Sequence, residues 1–319
     1  MTMRRRKILR WLIGVIFSTA ALAILVDHLD VGAVKTQLRG ARLGWLIMAA
    51  ALSLVANLLF SSMQWRALFD EMGYPLPLRE HVFIKAALYP LRLLIPLRAG
   101  DLGRPVYLAR RHGVPAATSV AASALVPLLN LAIVLVLAIP GCLRLGYGAP
   151  VVVAIVVFVA VASASRSSAP ASPDAPWWKK RLIEMRRAAQ VTPRGWLIVL
   201  ALGLATILAQ ITAFSAVTKA MGLSVPTGAL YTLAPLMMLA GAIPLFIMGI
   251  GAREAAVVVL FAAYGQDAAL LGAGLLFSLV DQVMLAALGA PTLGAFISAC
   301  ANKTADKIER KASDAGDRV

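Results

Sequence analysis

The sequence predicts an all-α protein: a polytopic transmembrane helical bundle of six full spans plus two broken or re-entrant helical hairpins, arranged as an inverted repeat. Three observations predict it. Of 319 residues, 60% are hydrophobic and only 14% charged, with a mean hydropathy of +0.82. A water-soluble domain has about a quarter charged residues and could not hide that much apolar surface. The apolar residues also fall in runs of about 20, enough to cross ~30 Å of hydrocarbon at ~1.5 Å per residue. The basic residues lie between those runs and mostly on one side, as the positive-inside rule requires.

The first run is Ile8 to Val26, preceded by Arg4, Arg5, Arg6 and Lys7. Ala21-Leu22-Ala23 has the small-x-small look of a cleaved leader, but the charge alternation that follows fits an uncleaved span. The second run is Leu43 to Ser62, the third Ala116 to Ile139, the fourth Ala149 to Ser165, the fifth Trp196 to Val217 and the sixth Ala268 to Ala290. Two further stretches, His81 to Arg111 and Thr227 to Gly265, are apolar but interrupted by Pro and Gly. Interruptions at membrane depth are tolerated only where protein or a cavity satisfies the backbone, so both read as broken helices.

With the N-terminus, 63–113, 166–194 and the tail in the cytoplasm, that side holds 25 Lys and Arg, against five in the opposite loops. This places both termini inside. A count of eight spans fits equally if 227–265 crosses twice. The organisation is then a single transmembrane domain, 1–301, with a first half 1–165, a basic cytoplasmic linker 166–194 and a second half 195–301. A polar tail, 302–319, has the composition of disorder. The six tryptophans lie near span ends, as an aromatic belt predicts. Within the linker, Trp177 to Arg187 reads either as an amphipathic helix on anionic headgroups or as a solvated loop.

The formal charge of +16 raises nucleic-acid binding, and the placement of the charges between apolar runs excludes it. Cys142 and Cys300 form no CxxC or Cys/His cluster and lie near opposite faces. His28, His81 and His112 are scattered, so no metal or other cofactor is expected. No nucleophile–base arrangement and no Walker A loop occurs, so the chain is expected to be neither an enzyme nor an ATP-driven pump by itself.

The two broken stretches share a pattern. Ile95-Pro96-Leu97 leads to Gly100 and Arg104, and Ile243-Pro244-Leu245 leads to Gly249 and Arg253. The spacing to the glycine differs by one residue, and the predicted topology enters the stretches from opposite sides. Paired broken helices of this kind build midplane sites in many transporters. An ionisable group in lipid costs ~2.5–3.5 kcal/mol on insertion scales, so such groups face protein or water and have partners. The candidates are Lys85, Arg92, Arg98, Asp101 and Arg104 at the first break, Arg253 and Glu254 at the second, and Asp281 with Gln282 deep in the last span. Arginine's planar fork suits phosphate oxygens. Arg98, Arg104 and Arg253 are therefore expected to hold a headgroup phosphate. Asp101, Glu254 and Asp281 are expected to balance those charges or exchange a proton, with Asp281 pairing with Arg253 or with an arginine of the first break. Asn57, Gln64, Asn130 and Gln210 are expected to hydrogen-bond between helices. The plainer role for Arg98, Arg104, Arg110 and Arg111 is positive-inside anchoring.

At LIPLRAGDLGRPVYLARRHG (94–113) and GIGAREAA (249–256), the chain resembles the lysylphosphatidylglycerol synthase transmembrane region, or flippase-like membrane proteins, over residues 8 to 298. The resemblance implies a stand-alone translocase for lipids or lipid-linked sugars in the bacterial inner membrane, and some members are associated with hopanoid biosynthesis. Larger members carry an aminoacyl-transferase domain, which is not expected in a chain ending at 319. Many members have an arginine in the last span where this chain has Asp281. The expected function is translocation of anionic or phosphate-bearing membrane lipids. The alternatives are a non-transporting scaffold for a lipid-modifying partner enzyme and a transporter of small solutes.

Overall fold

The computed structural model describes residues 39–94, 101, 103–146, 191–242 and 249–316, and all regular structure among them is helical. The predicted spans 8–26 and 149–165, the segment 177–187, Arg98 and the two bends at 95–100 and 243–248 lie outside the described residues. Four described helices are long and apolar enough to cross a membrane: Leu43–Glu71, Ala116–Arg144, Pro193–Ala220 and Asp267–Cys300. They correspond to four of the six predicted spans, each extended at one or both ends by up to ten residues.

In chain order the helices are α1 (Leu43–Glu71), α2 (Leu78–Leu94), α3 (Gly103–His112), α4 (Ala116–Arg144), α5 (Pro193–Ala220), α6 (Thr227–Gly241) and α7 (Ala252–Leu260). The last, α8, starts as Asp267–Ser278, passes through a π-helical turn at Leu279–Val283 and continues as Met284–Gly316. It thus runs into the polar segment 302–319 marked as disordered by composition. Ala301, Lys303, Ala305, Lys307 and Glu309 all favour helix. The broken stretches contain pairs of short helices, α2 with α3 and α6 with α7.

Among the described residues, each half therefore contains a long helix, two short ones and a long one. The local signals repeat with the elements. Met72-Gly73-x-x-x-Pro77 precedes α2, and Met221-Gly222-x-x-x-Pro226 precedes α6, 149 residues on. Both glycines sit at positive φ, 81° and 72°, which only glycine adopts cheaply. Both turns close with the same pair of bonds: Gly73 N–H to Asp70 O and Tyr74 N–H to Phe69 O, then Gly222 N–H to Lys219 O and Leu223 N–H to Thr218 O. These satisfy the last carbonyls of α1 and α5. Arg104 and Arg253 are separated by the same 149 positions.

The halves interlock. α1 packs on α5, α2 on α8 and α6 on α4, so each half's first short helix rests on the other half's last helix. Glycine makes both crossings close. A Cβ on Gly141 of α4 would stand 2.2 Å from Thr232 O of α6, and one on Gly289 of α8 would stand 2.0 Å from Ala86 O of α2. Small residues let backbones approach in this way where no hydrophobic effect drives helices together. α1 and α5 run antiparallel and are tied at both ends. Arg42 N–H donates to Ala220 O at 2.9 Å. At the other end the Thr192 N–H and hydroxyl donate to Glu71 Oε2 at 2.9 and 2.7 Å. Thr192 also caps α5, accepting from Gly195 N–H ahead of a proline at the first turn.

The polarity is that of a membrane protein. Leu43, Ile47, Leu197 and Leu288 lie on the outside, whereas Asn57, Gln64, Lys85, Arg104, Glu254 and Asp281 are buried. Cys142 and Cys300 are free thiols. Trp65, read as an interfacial anchor, is instead buried at 7% exposure, because the α3 arginine lies on its face.

Candidate functional site

The first cluster gathers where α2 and α3 meet α1. Arg92, in the last turn of α2, donates from Nε to Asp101 Oδ1 at 2.7 Å and lies 5.1 Å from the Tyr89 ring centre. Lys85 Nζ donates to Ser61 Oγ on α1 at 2.7 Å. Arg104 lies in the first turn of α3, which carries no acidic residue. It is 2% exposed, and its guanidinium stacks 3.7 Å above Trp65. Among the described residues its buried Nη1 has no hydrogen-bond partner. A cation held by a ring face and the positive end of a helix, with a donor unspent, is a place for an anion. At the far end of α3, Glu80 of α2 receives the Tyr107 hydroxyl at 2.5 Å and lies 2.9 Å from His112 Nε2, which holds the two short helices together.

The second cluster is the counterpart in the other half. Gly249 and Gly251 lie at φ 78° and 96°, a left-handed pair that turns the chain into α7. Glu254, at the third position of α7, accepts from Gly251 N–H at 2.6 Å and from Ser278 Oγ at 2.5 Å. It is fully buried, and both oxygens are engaged, so it serves as a cap for α7. Arg253 points instead to α8. Its Nη1 is 3.6 Å from Asp281 Oδ2, and its guanidinium lies 5.3 Å from the Phe277 ring centre.

Asp281 occupies the π-helical turn of α8, with Gln282 buried beside it. Opposite stands a second π-helical turn, Val55–Phe60 of α1, whose Asn57 donates to Asp281 Oδ1 at 2.9 Å. Asn57 in turn accepts from Gln210 of α5 at 3.0 Å. Such turns widen the helix and are frequent at functional positions. Gln64 donates to Asn130 Oδ1 at 2.9 Å and to Val199 O at 3.2 Å. The expected interhelical roles of Asn57, Gln64, Asn130 and Gln210 are all present, and of the two partners open to Asp281 the structure selects Arg253.

The clusters adjoin each other. Tyr89, 4% exposed, is close enough to feel the charges of Arg92, Asp101, Asp281 and Arg253, and Lys85 those of Arg92, Arg104, Asp101 and Asp281. Sequence reading missed Tyr89 and Trp65, which look like ordinary apolar residues near membrane edges. No local sequence signal marks Trp65, since its contact with Arg104 comes from a helix 39 residues away in the chain.

Compared with known families, residues 11–289 match the family model described as the lysylphosphatidylglycerol synthase TM region. No curated protein matches the chain.

Proposed function

The chain belongs to the family of lysylphosphatidylglycerol synthase TM regions, a membrane lipid-related family, and from that premise we propose that it translocates a phosphate-bearing lipid headgroup across the bilayer. The observation that carries the reading is Arg104: buried, stacked on Trp65 and, among the described residues, left with an unpaired Nη1, in a helical turn with no acidic residue. An arginine held dry with a donor unspent is costly unless a ligand completes it. Lys85 and Arg92 supply further positive charge, and Asp101 offsets part of it. Tyr89 feels the charges of this cluster and of the one at Arg253.

In this reading the two halves form an inverted repeat. Support comes from the matched element order, the common 149-residue offset and the antiparallel run of α1 against α5. Rocking one half against the other then exposes the cluster to each leaflet in turn. The test is translocation in proteoliposomes holding the purified chain, with fluorescent anionic and polyprenyl-phosphate lipids, in the inner-membrane orientation expected of it. Wild type is expected to move at least one of them, and Arg104→Ala to move none while inserting normally. Full transport by Arg104→Ala sinks the site. No transport by wild type, with a stable enzyme complex recovered in detergent, favours the scaffold role.

A further inference from the structure

Arg104 and Arg253 are built alike but filled differently. Each is the second residue of the short helix after a break, 149 positions apart. Each lies over an aromatic ring of a long helix, Trp65 or Phe277. Among the described residues, each has buried guanidinium nitrogen without a hydrogen-bond partner: Nη1 of Arg104, Nε and Nη1 of Arg253. At the first break the nearby carboxylate, Asp101, is taken by Arg92 at 2.7 Å, and among the described residues no carboxylate forms an ion pair with Arg104. At the second, the protein's own carboxylates occupy both anion positions, Glu254 on the helix end and Asp281 beside the arginine.

The two carboxylates are not equally committed. Glu254 receives two short hydrogen bonds and is fixed. Asp281 stands 3.6 Å from Arg253, beyond the ~2.7–2.9 Å of a charge-assisted hydrogen bond, and its other oxygen is held by Asn57. An oxyanion seated against Arg253 in place of the Asp281 carboxylate could take the Nη1 donor that Asp281 leaves unspent. Gly241, at the end of α6, lets that helix pack close on the other side of the guanidinium: a Cβ there would meet Arg253 Nε at 3.1 Å.

We propose that Arg253 is a second phosphate-class oxyanion site, filled at rest by Asp281, which an incoming anion displaces onto Asn57. The site at Arg104 is open and this one is latched, so a ligand anion engages the first half before the second. The choice of ligand class rests on the translocator reading above; the exchange at Arg253 does not.

The experiment is native mass spectrometry of the full chain in detergent, titrated with dioctanoyl phosphatidylglycerol and, separately, with inorganic phosphate. Background is set by the Arg104→Ala/Arg253→Ala double variant. Wild type is expected to hold one copy above background, Asp281→Asn two, and Asp281→Asn/Arg253→Ala one. Asp281→Ser serves the same comparison if the asparagine variant does not fold. A count unchanged by removing the carboxylate, or an added copy that survives Arg253→Ala, overturns the proposal. If wild type binds nothing and Asp281→Asn binds one copy, the latched site stands and the headgroup site at Arg104 falls. Gain of phosphate but not lipid supports the exchange and identifies the ligand as a free oxyanion.

Discussion

Arginine at a buried position works through its plane as much as its charge. Arg104 lies flat on Trp65, a contact worth up to about 2 kcal/mol when desolvated. Arg104→Lys keeps the charge and loses the plane and the fork, so headgroup binding is expected to weaken about tenfold, a loss of ~1.4 kcal/mol; equilibrium binding of a short-chain anionic lipid measures it. Trp65→Leu should weaken binding similarly, and binding unaffected by either change would remove the stacking argument. Asn57 sits at the crossing of two hydrogen bonds, to Asp281 and from Gln210. Interhelical bonds of this kind average about 0.6 kcal/mol in membranes. Asn57→Ala is therefore expected to cost about 1 kcal/mol in detergent unfolding, with non-additivity against Gln210→Ala.

Among the elements, the breaks and crossings decide the architecture. The crossings of α4 with α6 and α8 with α2 depend on the missing Cβ at Gly141 and Gly289. Gly289→Leu should lower thermal stability sharply, because backbone and not a flexible side chain stands in the way. Gly44→Ala, with open space around it, should leave stability unchanged, and equal losses at the two sites would contradict this packing. At the second break, Glu254→Ala leaves Gly251 N–H and Ser278 without their acceptor, a penalty of about 1–3 kcal/mol for each buried group. Its expected signature is a loss of stability, read by thermal unfolding.

For the whole molecule, the antiparallel run of α1 and α5 places corresponding turns at opposite ends. Pro75 and Ser224 lie exposed in the turns after Gly73 and Gly222. Cysteines at these positions, with Cys142 and Cys300 changed to serine, should react with a membrane-impermeant maleimide from opposite faces of oriented vesicles. Labelling of both from one face would contradict the inverted repeat. The interlock also predicts that the halves do not fold as separate units, since α2 and α6 each pack on the other half's last helix. Co-expressed fragments split between 146 and 191 are expected to be stable together and degraded apart.

The sequence by itself determined the membrane class, the four long described helices and the helical breaks, because these follow from local hydropathy and from Pro and Gly. It also marked Arg104, Arg253 and Asp281, since a charge among apolar residues stands out without a partner in view. The Met-Gly-x-x-x-Pro repeat was present but too short to stand out until both turns closed with the same bonds. What only the tertiary structure decided is which charge meets which. Asp281 meets Arg253 across two helices, Asn57 reaches it through facing π-helical turns, and Trp65 leaves the expected interfacial belt to lie under Arg104. Such pairings depend on helix rotation and crossing distance, which are set by glycine contacts between residues far apart in the chain.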